Sequence, residues 1–280
     1  MNYRHAYHAG NFADVLKHAV FALCIEHLKL KPAPFRVIDL HAGAGRYDLA
    51  GREAGMTLES LDGIGRLLGT DAAPIPDAAA SVLEPLLGVV RVLNPEGTLS
   101  VYPGSPLIAQ ALMRRIDCLV VNELHPEEFS AVAAVLKGDP RARAAALDAA
   151  IAIKSLLPPP ERRGLVLFDP PFEERNEFEK QAQLLTEAQR RFETGVVILW
   201  YPIKSRAPVE AFFAAVARLG FTKRLRAELL VRDEKDTSRL NGCGLLVVNP
   251  PYTLEARLGT ILPFLAERLG QGPGARFELK

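Results

Sequence analysis

The stretch Phe35-Arg-Val-Ile-Asp-Leu40, running without a break into His41-Ala-Gly-Ala-Gly45, decides how this chain is read. The first part is a short strand signal. The two glycines that follow let the backbone turn sharply and approach a ligand closely. A strand that empties into a glycine turn is the opening unit of an open α/β sheet, where ligands collect outside the carboxyl ends of the strands.

Further strand signals lie at Cys118–Glu123, Gly164–Phe168, Val196–Trp200, Leu225–Val231 and Gly244–Val248, with helical stretches such as 127–137 and 176–192 between most of them. Apolar strands alternating with helices predict a Rossmann-like α/β fold, a mostly parallel sheet with helices on both faces. Upstream, residues 11–31 read as a helix, with Asn11 as N-cap, Asp14 in the first turn and an apolar stripe through Val15, Leu16, Ala19 and Leu23. Lys17 and His18 lie at or beyond the edge of that stripe, placed to face a ligand. Residues 48–103 interrupt the rhythm; they are rich in Leu, Ala, Gly and Pro, with helical pieces near 57–68 and 77–93. They are read as a small inserted helical subdomain within a domain made of 1–47 and 104–280. The helix that packs against the sheet resumes at about Pro106 to Arg115.

Composition bounds the rest. With 280 residues, 49% of them hydrophobic and 24% charged, the chain can bury a large core without covalent staples. Cys24, Cys118 and Cys243 are odd in number and far apart, which supports neither a disulfide framework nor a zinc site and fits a reducing cytoplasm. No run of about 18 apolar residues predicts a membrane span. A net charge of +1 gives no global nucleic-acid signature, so any such binding needs a local patch. The basic clusters at Arg141 and Arg143, Arg162 and Arg163, and Lys223, Arg224 and Arg226 are read first as solvated faces. His5, His8, His18 and His41 fit no standard ligand spacing, and no metal is expected.

Three features sit where such a sheet places its chemistry. Asp39 stands four residues before Gly43 and six before Gly45, a spacing that resembles the S-adenosylmethionine (SAM) loop of class I methyltransferases, with His41 in place of the usual Phe. Glu123 ends the second strand and lies 78 residues past Gly45. An acid about 20 residues past the glycines binds ribose hydroxyls in dinucleotide folds, and removing the proposed insertion restores roughly that interval. Asp169-Pro-Pro-Phe172 directly follows Leu165-Val-Leu-Phe168. Its proline pair makes a rigid loop whose carbonyls stay free to accept hydrogen bonds. Asp169 and the Pro170 carbonyl are two acceptors suited to an exocyclic adenine amine, and Phe172 is suited to stacking on the base, a contact worth about 1–3 kcal/mol. Asn249-Pro-Pro-Tyr252 spells an equally good tetrapeptide, but it follows the final strand, away from the glycine turn.

The chain as a whole resembles the RlmJ family, 23S ribosomal RNA adenine-N6 methyltransferases. The resemblance rests on Tyr3-Arg-His-Ala-Tyr-His-Ala-Gly-Asn-Phe-Ala-Asp-Val-Leu-Lys-His18, His41-Ala-Gly-Ala-Gly-Arg-Tyr47, Tyr102-Pro-Gly-Ser-Pro-Leu-Ile-Ala109, Glu123-Leu-His-Pro126, Arg162-Arg-Gly164, Asp169-Pro-Pro171 and Leu199-Trp-Tyr-Pro202, and runs from residue 3 to about 265. The resemblance implies a class I sheet with a helical insertion and SAM contacts at His18, His41, Ser105, Glu123, the pair Asp148-Ala149, and Asp169. It also implies Asp169 as proton acceptor and Tyr3 near the RNA; Arg4 and Lys17 are expected to help hold the base and its backbone. Two departures stand out: Ala149 occupies the family's Gly, and Phe172 the family's Tyr. The expected activity is methylation of an adenine of 23S rRNA by a cytoplasmic monomer. DNA adenine and protein glutamine are alternative substrates for the tetrapeptide. A SAM-binding module without catalysis is a further alternative. A nicotinamide-dependent oxidoreductase is disfavoured because Gly43-Ala-Gly45 lacks the third glycine of the dinucleotide fingerprint.

Overall fold

A computed structural model describes residues 4–174 and 176–280. Its strands are β1 (Arg36–Asp39), β2 (Arg46–Asp48), β3 (Val101–Pro103), β4 (Cys118–Asn122), β5 (Ala142–Ala145), β6 (Gly164–Phe168), β7 (Val196–Ile203), β8 (Arg224–Leu230), β9 (Gly242–Val248) and β10 (Arg276–Leu279). Its helices are α1 (Phe12–Lys29), α2 (Arg52–Thr57), α3 (Gly65–Leu68), α4 (Asp77–Leu93), α5 (Ser105–Leu112), α6 (Pro126–Val135), α7 (Ala149–Leu156), α8 (Glu177–Arg191), α9 (Arg206–Ala217) and α10 (Leu254–Arg268).

Eight of the strands form one sheet in the order β10-β8-β9-β7-β6-β1-β4-β5. From β5 to β7 every pairing is parallel, whereas β9, β8 and β10 join antiparallel. The expected α/β architecture therefore holds, with an antiparallel extension on one side. Side-chain alternation along the strands sends Val37, Leu165 and Leu167 into a core under α1, α4, α5 and α10. Ile38, Val166 and Phe168 point the other way, into a second core under α7, α8 and α9. Strands β5 and β10, at the two edges, lack an apolar run, and period-based reading had no signal for them.

Helix α1 starts where its cap predicts: the Asn11 side chain accepts a hydrogen bond from the Asp14 N–H at 3.0 Å. It is not a one-sided helix. Packed between the sheet and α4, α5 and α10, it is buried almost all round, and Lys17 and His18 go inside with it. The segment 57–68 also differs from its continuous helical reading. Leu58 adopts a left-handed backbone (φ +56°) that ends α2. Gly63 then lies flat against the backbone of Gly10 and Asn11, where a Cβ would overlap main-chain atoms. The Ile64 N–H donates to the Gly10 carbonyl at 2.8 Å, so the 58–64 turn is pinned to the start of α1. Residues 48–103 stay off the central sheet, with β2 and β3 pairing as a separate ribbon, while α4 packs on α1 and α10 and shares their core. Among the described residues no helix is long and apolar enough to cross a membrane.

Candidate active site

In register, Asp39 lies opposite both Val121 and Leu167. The chain therefore leaves β1, β4 and β6 at one edge of the sheet. A cavity of about 1000 Å³ opens there. It unites residues remote in sequence, among them Gly43, Glu123, Asp148 and Asp169.

The glycine turn is built from below. Asp39 is fully buried; its carboxylate accepts from the Ser105 hydroxyl at 2.6 Å and from the His41 N–H at 3.2 Å. Burial pushes its pKa up to about 7. Asp39 thus stands behind the cavity and holds Ser105 and His41 on its wall. Gly43 lines the cavity, and its N–H donates to Glu123 at 2.8 Å. The other Glu123 oxygen accepts from the His125 N–H, also at 2.8 Å. Gly45 is not on the wall. With φ +78° it turns the chain toward α5, where its carbonyl accepts from the Gly104 N–H at 2.9 Å, so its part is to shape the turn. Asp148 caps α7, accepting from the Ala150 N–H at 2.9 Å, and Ala149 follows on the same wall.

The Asp169-Pro-Pro-Phe172 loop lines the same cavity. The Asp169 N–H donates to His41 Nδ1 at 3.3 Å, so Nε2 carries the imidazole proton; burial pushes that imidazole down to about 4 and keeps it neutral near pH 7. The Lys17 ammonium bridges Asp169 Oδ2 at 2.5 Å and Asp14 Oδ1 at 2.8 Å. Asp14 Oδ2 in turn meets His5 Nε2 and the Gly10 N–H, each at 2.9 Å. Burial alone would push Lys17 down and Asp14 up. The mutual charges reverse both, holding Lys17 above its ordinary value and Asp14 well below the carboxylate range. His18 is hydrogen-bonded to the Tyr102 hydroxyl at 2.9 Å, and burial drives it down to about 3. Phe172 (φ +50°) sets its ring edge-on to Phe178 and Trp200, at 4.9 and 5.8 Å between centroids.

Arg4 and Tyr3 are the remaining expected RNA contacts. Arg4 reaches Glu127 at the start of α6, at 2.6 Å, and Tyr3 lies outside the described residues. Asn249 is excluded from the cavity by topology. β9 runs antiparallel to β7, so Val248 lies opposite Val197, at the far edge of the sheet. There the Asn249 side chain donates to the carbonyls of Glu193 and Gly195, at 2.7 and 2.9 Å, and only closes a turn. Residue reading missed Trp200, Pro202 and Lys204 as cavity residues. The available signal was that they end the strand beside β6.

The chain matches the family described as ribosomal RNA large subunit methyltransferase D, RlmJ, over residues 32–278. It is 40% identical to ribosomal RNA large subunit methyltransferase J of Escherichia coli (strain K12), covering 96% of this chain and 94% of that one. The chain belongs to the RlmJ family. The Haemophilus influenzae protein of the same name is 38% identical over the same shares of the two chains. A crystal structure of a Legionella pneumophila protein superposes on this RlmJ-family chain with a TM-score of 0.87 at 31% identity, covering 98% of each.

Within the RlmJ chain, the cavity fits SAM chemically. Its carboxylate-rich half suits a ligand that carries positive charge and hydroxyl groups. Two buried atoms there, His125 Nδ1 and Glu128 Oε2, have no hydrogen-bond partner among the described residues. Burial and then the neighbouring Glu123 push the Glu128 carboxyl up. Unsatisfied buried polar atoms are costly and expect a partner from outside the chain.

Proposed function

We propose that this RlmJ-family methyltransferase methylates N6 of an adenine in 23S ribosomal RNA. The observation that supports the assignment best is the shared cavity: Asp169-Pro-Pro-Phe172 and the Gly43 turn line one space of about 1000 Å³, large enough for a cofactor and a base. In this reading Glu123, Ser105, His18, His41, Asp148, Ala149 and Asp169 hold the cofactor. When bound, SAM supplies an electrophilic methyl group on a sulfonium.

The chain's own residues do the positioning, which is the main task when the electrophile is already activated. Lys17 occupies Asp169 Oδ2 and leaves Oδ1 as the acceptor for one amine hydrogen. The Pro170 carbonyl accepts the other. Both hydrogen bonds strengthen as the nitrogen gains positive charge, which is the differential binding that lowers a barrier. The surplus proton on N6 then leaves through Asp169 to water. Phe172 and Trp200 supply aromatic surface for the base, which must first be unstacked at a cost of a few kcal/mol. That cost is least in single-stranded loops. We also propose that the protein acts as a monomer in the cytoplasm, where ribosomal RNA is assembled.

Tritium transfer from labelled SAM onto stripped 23S rRNA, duplex DNA and free ribosomal protein tests the substrate. Label is expected in the RNA alone, and mass mapping should place it on adenine N6. Label in DNA or protein with none in RNA would overturn the assignment. For the cofactor site, Glu123→Ala is expected to raise the SAM Kd by about 10- to 100-fold in calorimetric titration, the scale of a lost charge-assisted hydrogen bond. An unchanged Kd would remove Glu123 from the site.

A further inference from the structure

We propose that Lys204, Arg232 and Arg239 form a cationic rim that binds the phosphates of the RNA strand flanking the base held in the cavity. The proposal rests on RNA being the substrate, and it concerns where the strand's backbone runs.

The rim is placed by topology. β8 ends at Leu230 and β9 begins at Gly242, which pair with each other, and Gly242 also lies opposite Ile203 at the end of β7. The 231–241 loop and Lys204 therefore leave the sheet together, on the side of the Asp169 loop. Asn241, fully buried, ties them into one corner. Its N–H donates to the Ile203 carbonyl at 3.0 Å, and its side chain donates to the carbonyls of Lys204 and Asp236, at 2.9 and 2.8 Å.

Charge pairing sets these three apart from the cavity's other cations. Lys17 is paired with Asp14 and Asp169, and Lys180 with Glu174. Lys204, Arg232 and Arg239 also line the cavity, yet none has an ion pair with another described residue. The nearby acids are already engaged: Asp62 with Arg66, Asp236 with the Ser238 hydroxyl, Asp233 with Lys235. Among the described residues, the Arg232 guanidinium donates to the Leu240 carbonyl and the Gln271 side chain. Burial and then the adjacent Arg239 charge push its guanidinium down. The charges of Asp62, Asp236 and Glu59 oppose that shift without forming an ion pair with Arg232, so the cations stay available to an arriving anion.

The remaining wall decides the direction. Glu123, Glu128, Asp148, Glu173, Glu174 and Glu177 line the cofactor half and the cavity's flank, and they repel phosphate. Among the described cavity residues, a strand whose base reaches Asp169 meets cations free of ion pairs along the Lys204–Arg239 side.

The test is the double variant Lys204→Gln, Arg239→Gln. Both side chains are exposed and without side-chain hydrogen bonds to described residues, so the fold should survive. Anisotropy of a labelled 23S rRNA fragment is read over a potassium chloride series. The expected results are a Kd raised at least about tenfold and a slope of log K against log salt shallower by about 1.4, two phosphate contacts on single-stranded RNA. SAM affinity should be unchanged. Arg162→Gln, exposed before β6 at the opposite edge, should leave Kd and slope as they are. Wild-type Kd and slope in the double variant, or an equal loss in Arg162→Gln, would overturn the rim while wild-type methylation of the RNA still stood. A wild-type protein that failed to methylate rRNA would overturn both readings together.

Discussion

Asp169→Ala is expected to lower kcat for methyl transfer by about 10²–10³-fold, the usual cost of removing one preorganised partner of the transition state, with SAM binding changed only a few-fold. The control is Asn249→Ala, in the second tetrapeptide of the same chemical type. Asn249 closes a turn at the far edge of the sheet through two carbonyls and holds φ +51°, a backbone region that Asn tolerates better than Ala. That variant should transfer methyl groups normally and lose roughly 1–3 kcal/mol of stability. Single-turnover transfer and urea denaturation of the two proteins decide the matter. Should Asn249→Ala abolish transfer and Asp169→Ala spare it, the site is at the wrong end of the sheet.

Lys17→Met is the variant with the largest expected effect on stability. Its side chain is 4% exposed, and it lies between the carboxylates of Asp14 and Asp169. Removing the cation that pairs with both leaves the buried Asp14 facing the half-buried Asp169 without it, and breaking a buried pair typically costs about 3–5 kcal/mol. The pH dependence has a definite sign. Asp14 is held well below its ordinary value, so it contributes stability above the unfolded carboxylate pKa and loses it as pH falls through the lower folded value. Lys17 is raised, so its contribution is lost only on strong alkalinisation. Without Lys17 the Asp14 carboxyl moves up, and acid unfolding should begin at higher pH than in the wild type. Methyl transfer should fall as well, because Asp169 loses the ammonium that holds its carboxylate in place. Circular dichroism melts from pH 4 to 8 check this; a loss under about 1 kcal/mol with an unshifted acid limb would mean that the bridge is not held in solution.

Much of the site could be read locally. The Gly43 turn after β1 and the proline loop after β6 are each a strand followed within four residues by its functional group, and both sit where a parallel sheet must put them. Glu123 was reachable because an interval too long by the length of an insertion is still an interval. Other features depend on contacts between distant segments. Nothing about Arg232 and Arg239 marks them as functional in a loop that also holds Asp233, Glu234, Lys235 and Asp236. In each conspicuous basic cluster one member is tied inward: Arg141 to Asp139 and to carbonyls near the end of α5, Arg163 to the Leu28 carbonyl at the end of α1, and Arg226 to the buried Glu228. Lys17 likewise looked like the edge of an amphipathic helix, because periodicity counts one buried face and α1 is packed on all of them.

Local chemistry along the chain was enough to establish the glycine turn and the proline-stiffened loop, each encoded within a few consecutive residues, while the α/β class and the family came from strands and motifs spread along the chain. Only the tertiary structure decided that Asn249 closes a turn at the far edge of the sheet, that Lys17 bridges Asp14 to Asp169, and which described cations of the cavity stay without an ion pair. Strand direction and the Lys17–Asp169 pair, 152 positions apart, depend on residues brought together by folding, and no short window of sequence contains both partners.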